Sequence, residues 1–88
     1  LAVNPQITID NEMSKQVTTF QILSSDRPGL LMDILGVFHE KQISVQSAKI
    51  STYGEKVFDI FQLTNSNNQK IKDTKLLKSI ENNLISIL

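Results

Sequence analysis

The stretch "SSDRPGLL", residues 24–31, is where residue types and spacing could do chemistry in this chain. It holds the only arginine, Arg27, between Asp26 and the pair Pro28-Gly29, directly before the apolar positions Leu30 and Leu31. Pro28 suits the first turn of a helix, where its missing N–H would have found no intrahelical partner. Gly29 lets a ligand or a second backbone come close. The N–H groups of Gly29, Leu30 and Leu31 would then point out of the positive end of a helix dipole, a place that attracts a carboxylate. Asp26 beside them can receive an ammonium group, so the junction offers two opposite poles close together, as a zwitterionic amino acid requires. The same spacing also fits a plain helix start, with Asp26 as the cap, Arg27 in solvent and Pro-Gly shaping the turn.

Other chemistry finds little support. His39 is the only histidine, and its place on a polar helix face predicts a solvated side chain rather than a catalytic base. Asp26, Asp33, Glu40, Glu55 and Asp59 follow no metal-ligand spacing, so no metal site is predicted. Cysteine is absent, which removes disulfides and thiolate chemistry together and fits a cytoplasmic setting. Nine Lys+Arg balance nine Asp+Glu, leaving no net field to gather nucleic acid or an acidic membrane. No apolar run approaches the roughly 20 residues of a membrane span. The chain opens on Leu1 rather than methionine, from which a piece of a longer protein is expected.

The elements that must position the junction follow from periodicity. "QITID" (6–10) and "VTTFQIL" (17–23) alternate apolar and polar residues as half-buried strands do, with a polar loop between them. From Pro28 the apolar positions Leu30, Leu31, Ile34, Leu35 and Phe38 make a helical stripe. Gly36 within it costs about 1 kcal/mol against alanine, which points to close packing on the sheet or on a partner helix, or to mere tolerance. "ISVQSAKIST" (43–52) reads as a strand whose phase slips near Gln46, the mark of a bulge or a late start. "YGE" supplies a hairpin turn into "KVFDIFQLT". A second helix follows, with Asp73 as its N-cap and Leu76, Leu77, Ile80 and Leu84 on its stripe.

The predicted fold class is α+β: a ferredoxin-like sandwich of one four-stranded antiparallel sheet with two helices on one face. Strand 6–10 takes the edge position that a last strand usually fills, beside a core of residues 17–88. Val57, Phe61 and Leu63 face one way on their strand, while Phe58 and Ile60 face the other. Helices cover one face. The other is expected to meet a second sheet, a neighbouring domain or a partner chain, where each Å² of apolar burial contributes roughly 25 cal/mol. The same sandwich can bind RNA, but this chain lacks the Gly-aromatic strand signature and the basic surroundings that use needs.

"DRPGLLMDILGVFHEKQISVQSAKISTYGEKVFDIFQLT" strongly resembles an ACT domain, a small ligand-binding regulatory module of amino-acid-metabolism enzymes, over about Val17 to the end. The likeness rests on the Asp-Arg-Pro-Gly loop, on Ala48 and Ile50, on "TYGE", and on Asp59 and Phe61 in a D-x-F arrangement. The preceding "VNPQITIDNEMSKQVTTFQI" is similar to the segment leading into the carboxy-terminal ACT unit of the bacterial PII uridylyltransferase family. The resemblance implies a sensor without catalytic residues or a cofactor of its own. It further implies a parent enzyme that uses Mg²⁺ and UTP to modify the PII signal protein, removes the UMP through a phosphohydrolase domain, and is set by glutamine. Carried over as ligand-binding positions are Asp26, Arg27, Gly29, Leu30 and Leu31, with Ser44 and Gln46 as weaker ones. The amino acid would sit where two such units, in tandem or in a homodimer, meet side by side. Two other expectations remain: an ACT unit of another enzyme sensing a different amino acid, or a ligand-free interaction module working through its apolar sheet face.

Overall fold

A computed structural model describes residues 3–88. Its elements run β1 (Gln6–Asp10), β2 (Thr18–Ser25), α1 (Leu30–Glu40), β3 (Ser44–Tyr53), β4 (Lys56–Thr64) and α2 (Thr74–Ile87). The strands form one antiparallel sheet in the order β1-β2-β4-β3. Strand β1 therefore holds the edge beside β2, as the sequence predicts.

Alternation sets the two faces. Phe20 and Ile22 on β2 pair in register with Phe61 and Asp59 on β4, and these side chains are all buried. The apolar members join Ile34 and Phe38 of α1 and Ile80 and Leu84 of α2 in a single core. The Phe38 ring stands edge-on to Phe20 and Phe61, with centroids 6.0 and 5.3 Å apart, which places α1 squarely over the two central strands. Both helices thus cover one face. Leu23, Phe58 and Ile60 fall in the opposite phase and are half-buried.

Strand β3 carries the predicted irregularity: its register shifts between Val45 and Ser47, so Gln46 is the extra residue. The shift returns Val45, Ala48 and Ile50 to one face, opposite Leu63, Phe61 and Asp59. Gly54 turns the hairpin to β4 at φ 62°, in the left-handed region. Asp73 caps α2, its carboxylate accepting from the Lys75 and Leu76 N–H groups at 3.0 and 3.2 Å. Among the described residues no helix is long and apolar enough to cross a membrane.

Two local expectations are corrected. Helix α1 begins at Leu30, where its apolar stripe starts, and Pro28 falls outside the first turn the sequence assigned it to, because Gly29 at the N-cap has φ 78° and cannot continue a right-handed helix. Pro28 accordingly shapes the turn before the helix. The expectation that Gly36 packs against the sheet also fails, since a Cβ placed there meets nothing within 4 Å.

Candidate ligand-binding site

The loop after β2, the start of α1, the end of β3 and the start of β4 converge on one cavity of about 250 Å³. That is below the roughly 300–1,000 Å³ of pockets for drug-sized ligands, so it suits a small metabolite. The loop side is built from Asp26, Arg27, Gly29, Leu30 and Leu31, and the sheet side from Ile50, Thr52, Val57 and Asp59. The structure thus brings together the five loop positions singled out from sequence.

The backbone fixes what each can do. The Asp26 N–H donates to the Glu55 carbonyl at 2.8 Å, tying the loop to the β3–β4 hairpin. The Asp26 side chain is exposed and does not cap α1, whose N-cap Gly29 offers no side chain. The first intrahelical bond runs from the Asp33 N–H to the Gly29 carbonyl at 3.0 Å, so Leu31 and Met32 lie ahead of the helical ladder. The Leu30 N–H is not free as the sequence implied: it donates to the Arg27 carbonyl at 3.3 Å. Gly29 is there for its conformation rather than for room, because a Cβ on it would come no nearer than 3.9 Å to the Arg27 guanidinium.

Arg27 borders the cavity but works mainly as a brace. Its Nη2 donates to Asp33 Oδ2 at 2.7 Å and to the Ile87 carbonyl at 2.8 Å, linking the start of α1 to the last turn of α2. The half-exposed ion pair itself contributes little stability.

Ser44 and Gln46 stand elsewhere. They open β3, whereas the cavity meets its other end at Ile50 and Thr52. Gln46 Nε2 donates to Thr64 Oγ1 at 2.9 Å and to Asn68 Oδ1 at 3.3 Å, which holds the bulge against the loop after β4.

Sequence reasoning passed over Asp59 as a site residue. It is buried, and its Oδ1 has no hydrogen-bond partner. Burial pushes its carboxyl above the ordinary aspartate range, a hydrogen bond from the Ser51 backbone opposes this, and the nearby Asp26 charge adds to the rise. The available signal was phase: in "VFDIFQL" the inward positions read Val57, Asp59, Phe61 and Leu63, and one of them is charged.

A second hollow of about 460 Å³ near Lys15, Lys70 and Asp73 makes a poorer site. The Lys70 ammonium already donates to the Asn11 and Ser14 carbonyls.

Fold and loop together define a class. Residues 6–88 match the family model described as "ACR9-like, ACT-like domain", and the chain belongs to the ACT-like family. Among its relatives, bifunctional uridylyltransferase/uridylyl-removing enzymes of Pseudomonas syringae pv. tomato and Pseudomonas aeruginosa are each 41% identical over 87 residues, and that of Pseudomonas fluorescens is 40% identical. The alignments cover 99% of this chain and 10% of those enzymes, so the chain spans about a tenth of the curated relatives it matches. A crystal structure of an unknown protein from Galdieria sulphuraria shares the fold, with a TM-score of 0.66 at 24% identity over 85% of this chain and 40% of that one.

Proposed function

We propose that this domain senses an amino acid, glutamine first among them, and through it regulates uridylylation and deuridylylation of the PII signal protein by a parent enzyme. The observation that carries the reading is the cavity at the Asp-Arg-Pro-Gly loop, which joins Asp26, apolar walls and the open start of α1 in a space of metabolite size. An amino acid would place its ammonium on the acidic side and its carboxylate toward the N–H groups at the start of α1. The kinship with uridylyltransferase/uridylyl-removing enzymes supports the parent activity. Regulation then requires that the ligand bind two arrangements of the parent with different affinity.

A second unit completes the site in this proposal. Strand β3 is a free edge of the sheet, and Val45 and Ile50 on it are exposed together with Leu31 and Met32 of α1. Antiparallel pairing of two such edges sets the start of one β3 beside the end of the other. Ser44 and Gln46 of one copy would then approach the cavity of its neighbour, which accounts for their distance from their own. The same exposed edge favours one competing reading, a module that associates without ligand.

Calorimetric titration of the intact protein with L-glutamine separates the two. Saturable heat is expected, weakened roughly tenfold or more by Asp26→Ala, the size of a lost charge-assisted hydrogen bond. Association that proceeds unchanged with no glutamine heat would leave only the interaction module.

A further inference from the structure

The sheet wall of the cavity contains a carboxylate that the fold satisfies on one side only: the Ser51 backbone donates to it, yet its Oδ1 has no partner. Asp59 is 2% exposed and shares its face of β4 with Val57, Phe61 and Leu63, all buried and apolar. Its Oδ1 is shielded from water and accepts no hydrogen bond within the protein. Such a group is costly to the fold unless something fills the gap. Across the sheet, Ile22 pairs with Asp59 and Ser24 with Val57, so Ser24 lies diagonal to Asp59 on the same face. The Ser24 hydroxyl is also buried and unpartnered. Two orphaned polar atoms thus lie on adjacent strands of one buried face, and Asp59 also lines the cavity.

We propose that Asp59 is the buried anchor for the ligand's ammonium group, so that the pocket recognises α-amino acids through a carboxylate on the sheet as well as one on the loop. The proposal rests on the amino-acid reading above and adds the atom that holds the amine. An ammonium has three donors and no acceptor, which suits two carboxylates reaching one cavity from different elements. The one guanidinium at the cavity does not cancel them, being engaged with Asp33 and the Ile87 carbonyl. Burial and the Asp26 charge disfavour an ionised Asp59 more than the Ser51 hydrogen bond favours it, and the charge of an ammonium beside it would offset that cost. Buried, apolar Val57 beside the carboxylate lowers the local dielectric and strengthens such a contact.

The test uses the intact protein and calorimetry. The standard L-α-amino acids are titrated, and the tightest is compared with its deaminated analogue, in which hydrogen replaces the ammonium. The wild type is expected to prefer the amino acid by roughly tenfold or more, the size of a charge-assisted hydrogen bond. Asp59→Asn should lose most of that preference while binding the analogue as the wild type does. Undiminished preference in Asp59→Asn would overturn the proposal and leave the amino-acid reading standing, as expected if Asp59 and Ser24 merely hold a water. A wild type that binds no amino acid would overturn both. Should Asp59→Asn fail to fold, the Asp59 carboxyl of the wild type is followed by ¹³C NMR during the titration. A saturable change in the shift of that carboxyl supports the anchor, and an unmoved signal refutes it.

Discussion

A buried carboxylate with one oxygen left unpartnered makes the fold less stable whenever it is ionised. The folded Asp59 carboxyl is raised, so the native state holds a proton that the unfolded chain has already released just above the ordinary aspartate range. There the native state binds more protons than the unfolded one, and this group's contribution to stability falls as pH rises through the window. Asp59→Asn keeps the shape and removes the charge. It is expected to raise the unfolding free energy at neutral pH by about 1 kcal/mol and to abolish that part of the pH dependence, as read by urea melts from pH 4 to 8. An unchanged pH profile would contradict the burial argument. Asp26, by contrast, sits exposed on the loop, and its carboxylate is where sequence spacing placed it. The two acids differ in legibility for a physical reason. Asp26 lies in a local pattern of consecutive residues, whereas the meaning of Asp59 depends on which strand flanks it and how deep the cavity reaches.

At the scale of the element, helix α1 shows where local pattern and backbone disagree. The apolar stripe from Leu30 to Phe38 was legible, and so were the Asp73 cap of α2 and the slip of register at Gln46. The exclusion of Pro28 from the helix was not, because the stripe records which side chains are buried and says nothing of the positive φ at Gly29. Gly36 separates packing from propensity. With open space where its Cβ would lie, Gly36→Ala should stabilise the domain by about 1 kcal/mol through helix propensity alone. Thermal denaturation checks this: a loss of stability would mean that the glycine is required within the unit after all. The Arg27 brace was equally hidden, since its partner carbonyl at Ile87 is 60 residues away in the chain.

The whole molecule follows from one sheet with its helices on a single side. Strand order could be inferred because a β-α-β-β-α core leaves one edge for β1, in the antiparallel sense that a short loop allows. What the order leaves open is the other edge. Strand β3 presents unpaired backbone and exposed Val45, Ala48 and Ile50, and on the proposed reading two such edges join. Ala48→Lys should leave the stability of one unit within about 0.5 kcal/mol and weaken self-association, measured by sedimentation velocity over a range of concentrations. Association unaffected by the lysine would direct attention to the opposite face, where Leu23, Phe58 and Ile60 lie half-buried. The central claim is that the loop cavity holds an amino acid, and amide chemical shifts followed through a titration with L-glutamine test it most directly. The account predicts saturable changes concentrated at Asp26, Gly29 to Met32, Thr52 and Asp59. A spectrum that stays unchanged, or moves only around Lys15 and Lys70, would contradict it.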